Sequence, residues 1–317
     1  MIAGECVNKY ILTVTMNPAL DQFVAINTRG AKDFSGEPVL SAGGKGINVA
    51  RTLKQLGSTV CATGLRGGRT GTLIARKLRE EKIAANFSAV EKPSRINRTS
   101  IDHQHKKIHR MIEAGEQASP VELKNFKIKY NTLLVHSRMV VLSGRNAAGA
   151  PQDFYADLIR QAARKDVPVC LDTSGPAFKS ALRAAPFLIK PNLGEAEDAI
   201  GRPLNSVKKI KIALKRFHGY GIKIVLLTLG REGAVASNGA EIFLADGSKK
   251  ESLYEVGCGD AFLGGFIHAY FKGWDFKAGV KFAAACGRAN TATVIPGLVD
   301  KKNVNKIFNQ IKIKSIA

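Results

Sequence analysis

Four apolar runs along the chain repeat one design: "MVVLSG" (139–144), "VPVCLDTSG" (167–175), "PFLIKPN" (186–192) and "KIVLLTLG" (223–230). Each ends in small or polar residues. A fifth run, "YILTVT" (10–15), is short and β-branched and reads as a buried strand. Amphipathic segments such as "PQDFYADLIRQAARK" (151–165) and "SVKKIKIALKRFHG" (206–219) lie between them. Strand–helix alternation of this kind predicts a doubly wound α/β fold, a mainly parallel sheet with helices on both faces. Ligands of such sheets bind beyond the carboxyl ends of the strands. The polar endings "SG", "DTSG", "KPN" and "TLG" should therefore line one rim.

Two segments break the pattern. "QFVAINTRGAKDFSGEPVLSAGG" (22–44) and "SRINRTSIDHQHKKIHRMIEAG" (94–115) are turn-rich and more polar. They predict a small antiparallel sheet, a lid at about 22–42 and 94–115, beside one large domain spanning 1–317. A chain of 317 residues is at the upper edge of what one core supports. No apolar run approaches the roughly 20 residues of a membrane span, and the N-terminus lacks the pattern of a signal peptide. Five scattered cysteines without a CxxC suit a reducing cytoplasm. The net charge of +22 raises nucleic acid as a partner. The basic residues are spread along the whole chain, so a generally basic surface without a specific nucleic-acid partner is the better reading.

The stretch "VGCGDAFLGGF" (256–266) carries the chemistry. Gly257 and Gly259 allow positive φ and close approach. Successive N–H groups in such a turn, at a helix start, form an anion cavity. Asp260 is either a helix cap there or a carboxylate beside that cavity. A cap alone does not require two flanking glycines.

This stretch resembles the C-terminal motif of the ribokinase-like (PfkB) carbohydrate kinases, which usually carry alanine where Cys258 stands. The family's other motif is matched by "SAGGKGINVARTLKQLG" (41–57), about 200 residues earlier. Further matches are "TVTMNPALD" (13–21), "DTSG" (172–175), "KPNLGEAE" (190–197) and "TLGREGA" (228–234). The form "AGGKGINVAR" is most similar to the branch acting on phosphorylated hexoses, namely 1-phosphofructokinase, tagatose-6-phosphate kinase and the minor 6-phosphofructokinase.

The resemblance implies ATP as donor and Mg²⁺ as cofactor. It implies that Asp260 takes the proton of the acceptor hydroxyl, while the amides of Gly257, Cys258, Gly259 and Asp260 stabilise the transferred phosphoryl. Cys258 would contribute its N–H; a reactive thiol is the sharper reading of that residue. Asn192 and Glu195, three apart at a helix start, would organise magnesium through water, and Lys190 would face the nucleotide phosphates. Thr228, Gly230 and Asn290 would flank the nucleotide. Asn17, Asp21, Gly43, Gly44, Asn48, Arg95 and Asn97 would hold the sugar, with Lys45 and Arg95 on its existing phosphate. No Walker A sequence is present, because Gly46 follows Lys45.

Two stretches depart from the pattern. "SGRNAAG" (143–149) stands where this branch usually reads "SGSLPPG", so the stiffening prolines are gone and Arg145 and Asn146 are new. In "DHQHKKIHR" (102–110), His103, His105 and His109 share parity, so a strand would place them on one face. A solvated lid face is the reading preferred there over a metal site. A kinase of an unphosphorylated sugar or nucleoside, and a sugar-phosphate-binding protein without catalysis, remain the competing functions. The open edges of lid strands suggest a homodimer.

Overall fold

The structure is a computed structural model that describes residues 9–26, 37–102, 104–247, 252 and 254–316. The first half of the chain contains β1 (Tyr10–Thr15), β2 (Ala19–Ile26), β3 (Val39–Gly43), α1 (Lys45–Leu56), β4 (Val60–Gly67), α2 (Gly68–Glu80), β5 (Ala84–Ala85), β6 (Ser88–Val90), β7 (Arg95–Asp102), β8 (Lys107–Ile112), α3 (Pro120–Leu134) and β9 (Ser137–Ser143). The second half contains α4 (Phe154–Ala163), β10 (Val169–Asp172), α5 (Gly175–Leu182), β11 (Leu188–Ile189), α6 (Leu193–Ile200), α7 (Val207–His218), β12 (Ile224–Thr228), β13 (Gly233–Ser237), β14 (Ile242–Asp246), α8 (Cys258–Phe271), α9 (Phe276–Asn290), α10 (Lys301–Phe308) and β15 (Ile313–Ser315).

The large sheet runs β15-β14-β13-β12-β11-β10-β9-β1-β4-β5, with β6 also on β4. Every pair from β12 to β5 is parallel, and β13, β14 and β15 add antiparallel strands at one edge. Both faces are buried, because alternate residues of each strand enter different cores. In β9, Met139 and Val141 join the core under α1, α8 and α9, while Val140 and Leu142 join the core under α3 and α4. That alternation is why these strands read as continuous apolar runs. β11 shrinks to two residues because Pro186 and Pro191 flank it and cannot donate to a ladder.

The second sheet has the order β3-β2-β7-β8. It is mixed, not antiparallel as expected: β2 pairs with β7 in parallel over Ala19–Ile26, and only the outer pairs are antiparallel. Between β3 and β7 the chain passes through the large sheet, so β7 re-enters in the same sense as β2. Residues 27–36 of the first lid segment lie outside the described residues. Among the described residues no helix is long and apolar enough to cross a membrane.

The strand order reverses at β1, which has β4 on one side and β9 on the other. In an open α/β sheet that reversal opens a crevice at the carboxyl ends. β2 leaves β1 at this point, so the small sheet stands over the crevice.

Candidate active site

Two helix starts meet in the crevice. α1 begins at Lys45 behind Gly44, and α8 begins at Cys258 behind Gly257; neither has a side-chain cap. Gly257 has φ 84°, and a Cβ there would lie 2.6 Å from Pro296 Cα, so only glycine fits this turn. Asp260 is therefore not the cap of α8. It sits in the first turn, buried, and its Oδ2 accepts a 2.7 Å hydrogen bond from Asn48 Nδ2 of α1. The amides of the first turn have no partner within the helix; Cys258 N donates to Glu255 O at a long 3.4 Å, and the turn presents its N–H groups to an anion.

The charge around Asp260 is organised by a residue that its motif alone does not mark. Asp172, at the end of β10, is fully buried and holds two ammonium groups: Lys45 Nζ at 3.0 Å and Lys190 Nζ at 3.2 Å. Burial would lift the Asp172 carboxyl, but the charges of Lys190 and Lys45 outweigh it and hold it below the usual carboxylate range. Lys45 is raised in turn, chiefly by Asp172. Asp260 goes the other way. Burial, then the negative charge of Asp172, raise it to about 6, against Lys45, Asn48 and Lys190. Cys258 is pushed up to about 12 by burial, then by Glu255 and Asp260, surroundings that favour the protonated thiol over the thiolate.

Under the small sheet a second polar cluster forms. Asn97 Nδ2 donates to Asp21 Oδ1 at 2.8 Å, and Gly43 packs so tightly on the Asp21 carboxylate that a Cβ would overlap it. Burial raises Asp21, opposed by Asn97 and the charges of Arg51 and Arg95. Arg95 donates to Asn17 O from Nε and Nη2, and to Asn97 Oδ1 and Glu113 O from Nη1. Four of its five N–H groups are thereby committed, and Asn17 Nδ2 donates to Ala114 O at 2.8 Å.

Arg145 comes close enough to Arg95 that its charge lowers the Arg95 guanidinium, after burial. Its loop lacks the prolines but is pinned in other ways. Tyr155 OH donates to Arg145 O at 3.3 Å, Asn146 Nδ2 to Pro151 O at 3.3 Å, and Ala118 N to Ala148 O at 2.9 Å.

Beside the α8 turn, on the side of α6 and β12, a cavity of about 280 Å³ opens. Thr228, Gly230, Asn192, Cys258 and Gly259 line it, together with Arg288 of α9 and Thr291, the residue that caps that helix. Asn192 caps α6 by accepting from Glu195 N at 2.9 Å, and Glu195 Oε2 accepts from Asn192 N at 2.9 Å.

The model of the family described as "pfkB family carbohydrate kinase" matches residues 15–295. The chain belongs to this family. It is accordingly a sugar kinase, a phosphotransferase acting on an alcohol group; kinases of this family use ATP and typically Mg²⁺.

Solved structures agree on the fold. A structure from Thermotoga maritima, described as a possible 1-phosphofructokinase, is 25% identical, with TM-score 0.88 and coverage of 97% of this chain and 100% of that one. Phosphofructokinase-2 from Escherichia coli, solved with potassium, is 23% identical with TM-score 0.86, covering 95% and 99%. The same enzyme in its tetrameric inhibited form is 24% identical with TM-score 0.85, over the same shares.

In this kinase the sequence-predicted residues fall into two clusters and a cavity wall. Lys45, Asn48, Lys190 and Asp260 gather around Asp172 and the α8 turn. Asn17, Asp21, Gly43, Arg95 and Asn97 gather under the small sheet. Asn290 is placed elsewhere than expected: it is fully buried, donates to Ile295 O and Leu298 O at 3.2 Å each, and accepts from Gly297 N at 3.3 Å. The helical phase of α9, carried into its C-cap Thr291, turns Arg288 and Thr291, three apart, to the cavity and Asn290 away from it. His103 lies outside the described residues. His105 sits in the turn at 104–106, bonded to Asp102 Oδ2 at 2.8 Å, so strand parity does not join it to His109.

Proposed function

We propose that the chain transfers a phosphoryl group from ATP to a hydroxyl of a hexose that already carries a phosphate, within one kinase domain spanning 1–317. The observation that carries this reading is Asp260: a buried carboxyl raised to about 6, in the first turn of a glycine-capped helix start and facing Lys45 and Lys190. Asn48 occupies Oδ2, while Oδ1 has no hydrogen bond among the described residues and is free to receive the hydroxyl proton. A base with pKa near the working pH combines ionisation with proton affinity. The amides of Gly257 to Asp260 then meet the charge of the transferring group, and Lys45 and Lys190, both paired with Asp172, offset it.

The residues fit magnesium held through water. Glu195 uses Oε2 on the amide of Asn192, a residue of the cavity wall, and its Oε1 is a further hard oxygen. Asn192 and Glu195 would hold the ion and its waters there, and the bound ion would neutralise charge on the nucleotide phosphates. Thr228, Gly230, Arg288 and Thr291 would flank the nucleotide in the cavity.

On the sugar side, Asp21, Asn97 and the backbone at Gly43 and Gly44 would meet hydroxyl groups. The substrate's phosphate would sit between the remaining N–H of Arg95 and Arg145; Lys45, expected there from the sequence, is paired with Asp172 beside Asp260 instead. The relative described as a possible 1-phosphofructokinase supports a hexose phosphate as substrate. A homodimer would form on the open edges of the small sheet, where Met111 and Ile112 of β8 are exposed.

The test is ADP release over fructose 1-phosphate, fructose 6-phosphate, tagatose 6-phosphate, the free sugars and nucleosides. Two charge-assisted hydrogen bonds at about 1.5–3 kcal/mol each should favour the phosphorylated sugar by roughly 10²–10⁴ in kcat/KM. Equal turnover of a free sugar or a nucleoside removes the phosphate pocket. No turnover of any acceptor leaves a binding protein.

A further inference from the structure

We infer that Arg51 is a positioning residue for phosphoryl transfer, which with Glu81 behind it decides which end of the Asn48 amide faces Asp260. This inference rests on the reading of Asp260 as the base. Arg51 lies on α1 with 1% of its surface exposed, among the largest fully buried side chains. All its donors are committed. Nε and Nη2 grip Glu81 at 2.6 and 2.8 Å in a bidentate pair, Nη2 also reaches Ser41 Oγ at 3.0 Å and Ala42 O at 2.6 Å, and Nη1 reaches Pro296 O at 2.6 Å. The remaining Nη1 bond, at 3.2 Å, goes to Asn48 Oδ1.

That last bond has a chemical consequence. A side-chain amide has an acceptor end and a donor end of almost equal size, and its neighbours decide their order. Arginine only donates, so the end of Asn48 that meets Arg51 must be the oxygen. The NH₂ end is thereby turned to Asp260, where it donates at 2.7 Å. Reversed, the amide would set donor against donor at Arg51 and oxygen against carboxylate at Asp260. Glu81 keeps the guanidinium in place and balances its charge in a dry site. The anchors on β3 and at Pro296 fix the guanidinium relative to the α8 turn, because Pro296 is also the residue packed on Gly257.

The relay acts on a carboxylate with several other charged neighbours. Asp172 faces it from β10, Lys45 from α1 and Lys190 from the end of β11. The Asn48 donor favours the ionised form and holds one oxygen still, leaving the other for the proton. Losing the donor raises the Asp260 pKa and frees the carboxylate to rotate.

The experiment compares Arg51→Lys, Asn48→Ala, the double variant and Glu81→Gln with wild type. It records kcat, KM for both substrates, the acid limb of kcat/KM and the unfolding midpoint. Arg51→Lys, whose single ammonium cannot reach Glu81, Pro296 and Asn48 at once, should lower kcat by about 10–100-fold, as loss of a supporting partner does elsewhere, with both KM values within about twofold of wild type. The acid limb should move to higher pH. The double variant should be no worse than Asn48→Ala, because both remove the same contact. If Arg51→Lys fails to fold, Glu81→Gln reads the same acid limb and the same split between kcat and KM, with a smaller loss.

An unmoved acid limb, or losses in Arg51→Lys and Asn48→Ala that multiply in the double variant, overturns the relay. Asp260→Asn separates the two levels. Retained turnover in that variant overturns the base and the relay together. An inactive Asp260→Asn beside an unmoved acid limb in the relay variants overturns the relay alone.

Discussion

Two buried carboxylates face the same crevice, one from the end of a strand and one from the start of a helix, and their surroundings push them in opposite directions. Asp172 has no exposed surface and two lysines within 3.2 Å, and its proton is held off. Asp260 has one neutral donor at 2.7 Å and the negative Asp172 among its neighbours, and its carboxyl is raised to about 6. Burial is common to both. The difference lies in how the positive charge is shared: Lys45 and Lys190 are bonded to Asp172 and act on Asp260 only from a distance. A pair whose environments separate their protonation states has separable roles. Asp172 is suited to hold cations, and Asp260 is suited to exchange a proton.

The comparison breaks most sharply in the activity of Asp260→Asn. Loss of the base should lower kcat by about 10²–10⁴ while nucleotide affinity changes little. Steady-state kinetics with a nucleotide titration checks both. Because the wild-type carboxylate is buried at a pKa raised by its surroundings, the amide should leave the unfolding midpoint at pH 7 undiminished. Near-normal turnover in a folded variant would remove Asp260 from the chemistry.

Asp172→Asn should behave in the opposite way, with the larger penalty in stability. Removing one partner of a buried ion pair leaves the other charge uncompensated, typically at about 3–5 kcal/mol. Urea unfolding of this variant should show a lower midpoint than that of Asp260→Asn. Equal midpoints would mean that the two lysines do not depend on Asp172.

Glu195→Gln tests the metal side of the cleft. If Glu195 holds metal-bound water, the magnesium needed for half-maximal rate should rise by roughly 10–100-fold. An unchanged titration would leave Glu195 as the capping partner of Asn192 and nothing more.

The smallest effect is in pH. The acid limb of kcat/KM should fall near pH 6, where Asp260 takes up its proton. Removing the negative charge in Asp172→Asn should move that limb to lower pH. The two residues also oppose each other in stability. Asp260, whose pKa is raised in the fold, makes the protein more stable as pH falls through about 6 toward the unfolded carboxylate value. Asp172, whose pKa is depressed, contributes stability above the unfolded value that is lost as pH falls through its folded pKa. A flat profile of unfolding midpoint against pH between 6 and 4 would contradict the first assignment.

Much of this arrangement is legible in the chain. "YILTVT" is a strand over the same six residues, and "SVKKIKIALKRFHG" is a helix capped by Ser206 at one end and Gly219 at the other. Strands buried on both faces must be apolar throughout, and helices buried on one face must be periodic, so the local pattern of apolar residues marks them. The glycine turn before Asp260 is marked for the same kind of reason, since its backbone geometry excludes side chains. Asn290 shows the limit: its motif places it on α9, but the phase of the helix turns Arg288 and Thr291 to the cavity instead.

By itself the sequence determined the layered α/β architecture, the second sheet's existence, the family, and the local turns that expose amides and carboxylates. These follow from short-range periodicity and from backbone conformations that few residue types tolerate. Only the tertiary structure decided that Lys45 pairs with Asp172, 127 positions away, and that Asn48 turns its donor to Asp260, 212 positions away. It also decided that the second sheet is mixed and that Arg51 is buried against Glu81. Charge pairing and amide orientation depend on which groups share a dry space, and that depends on how distant segments pack.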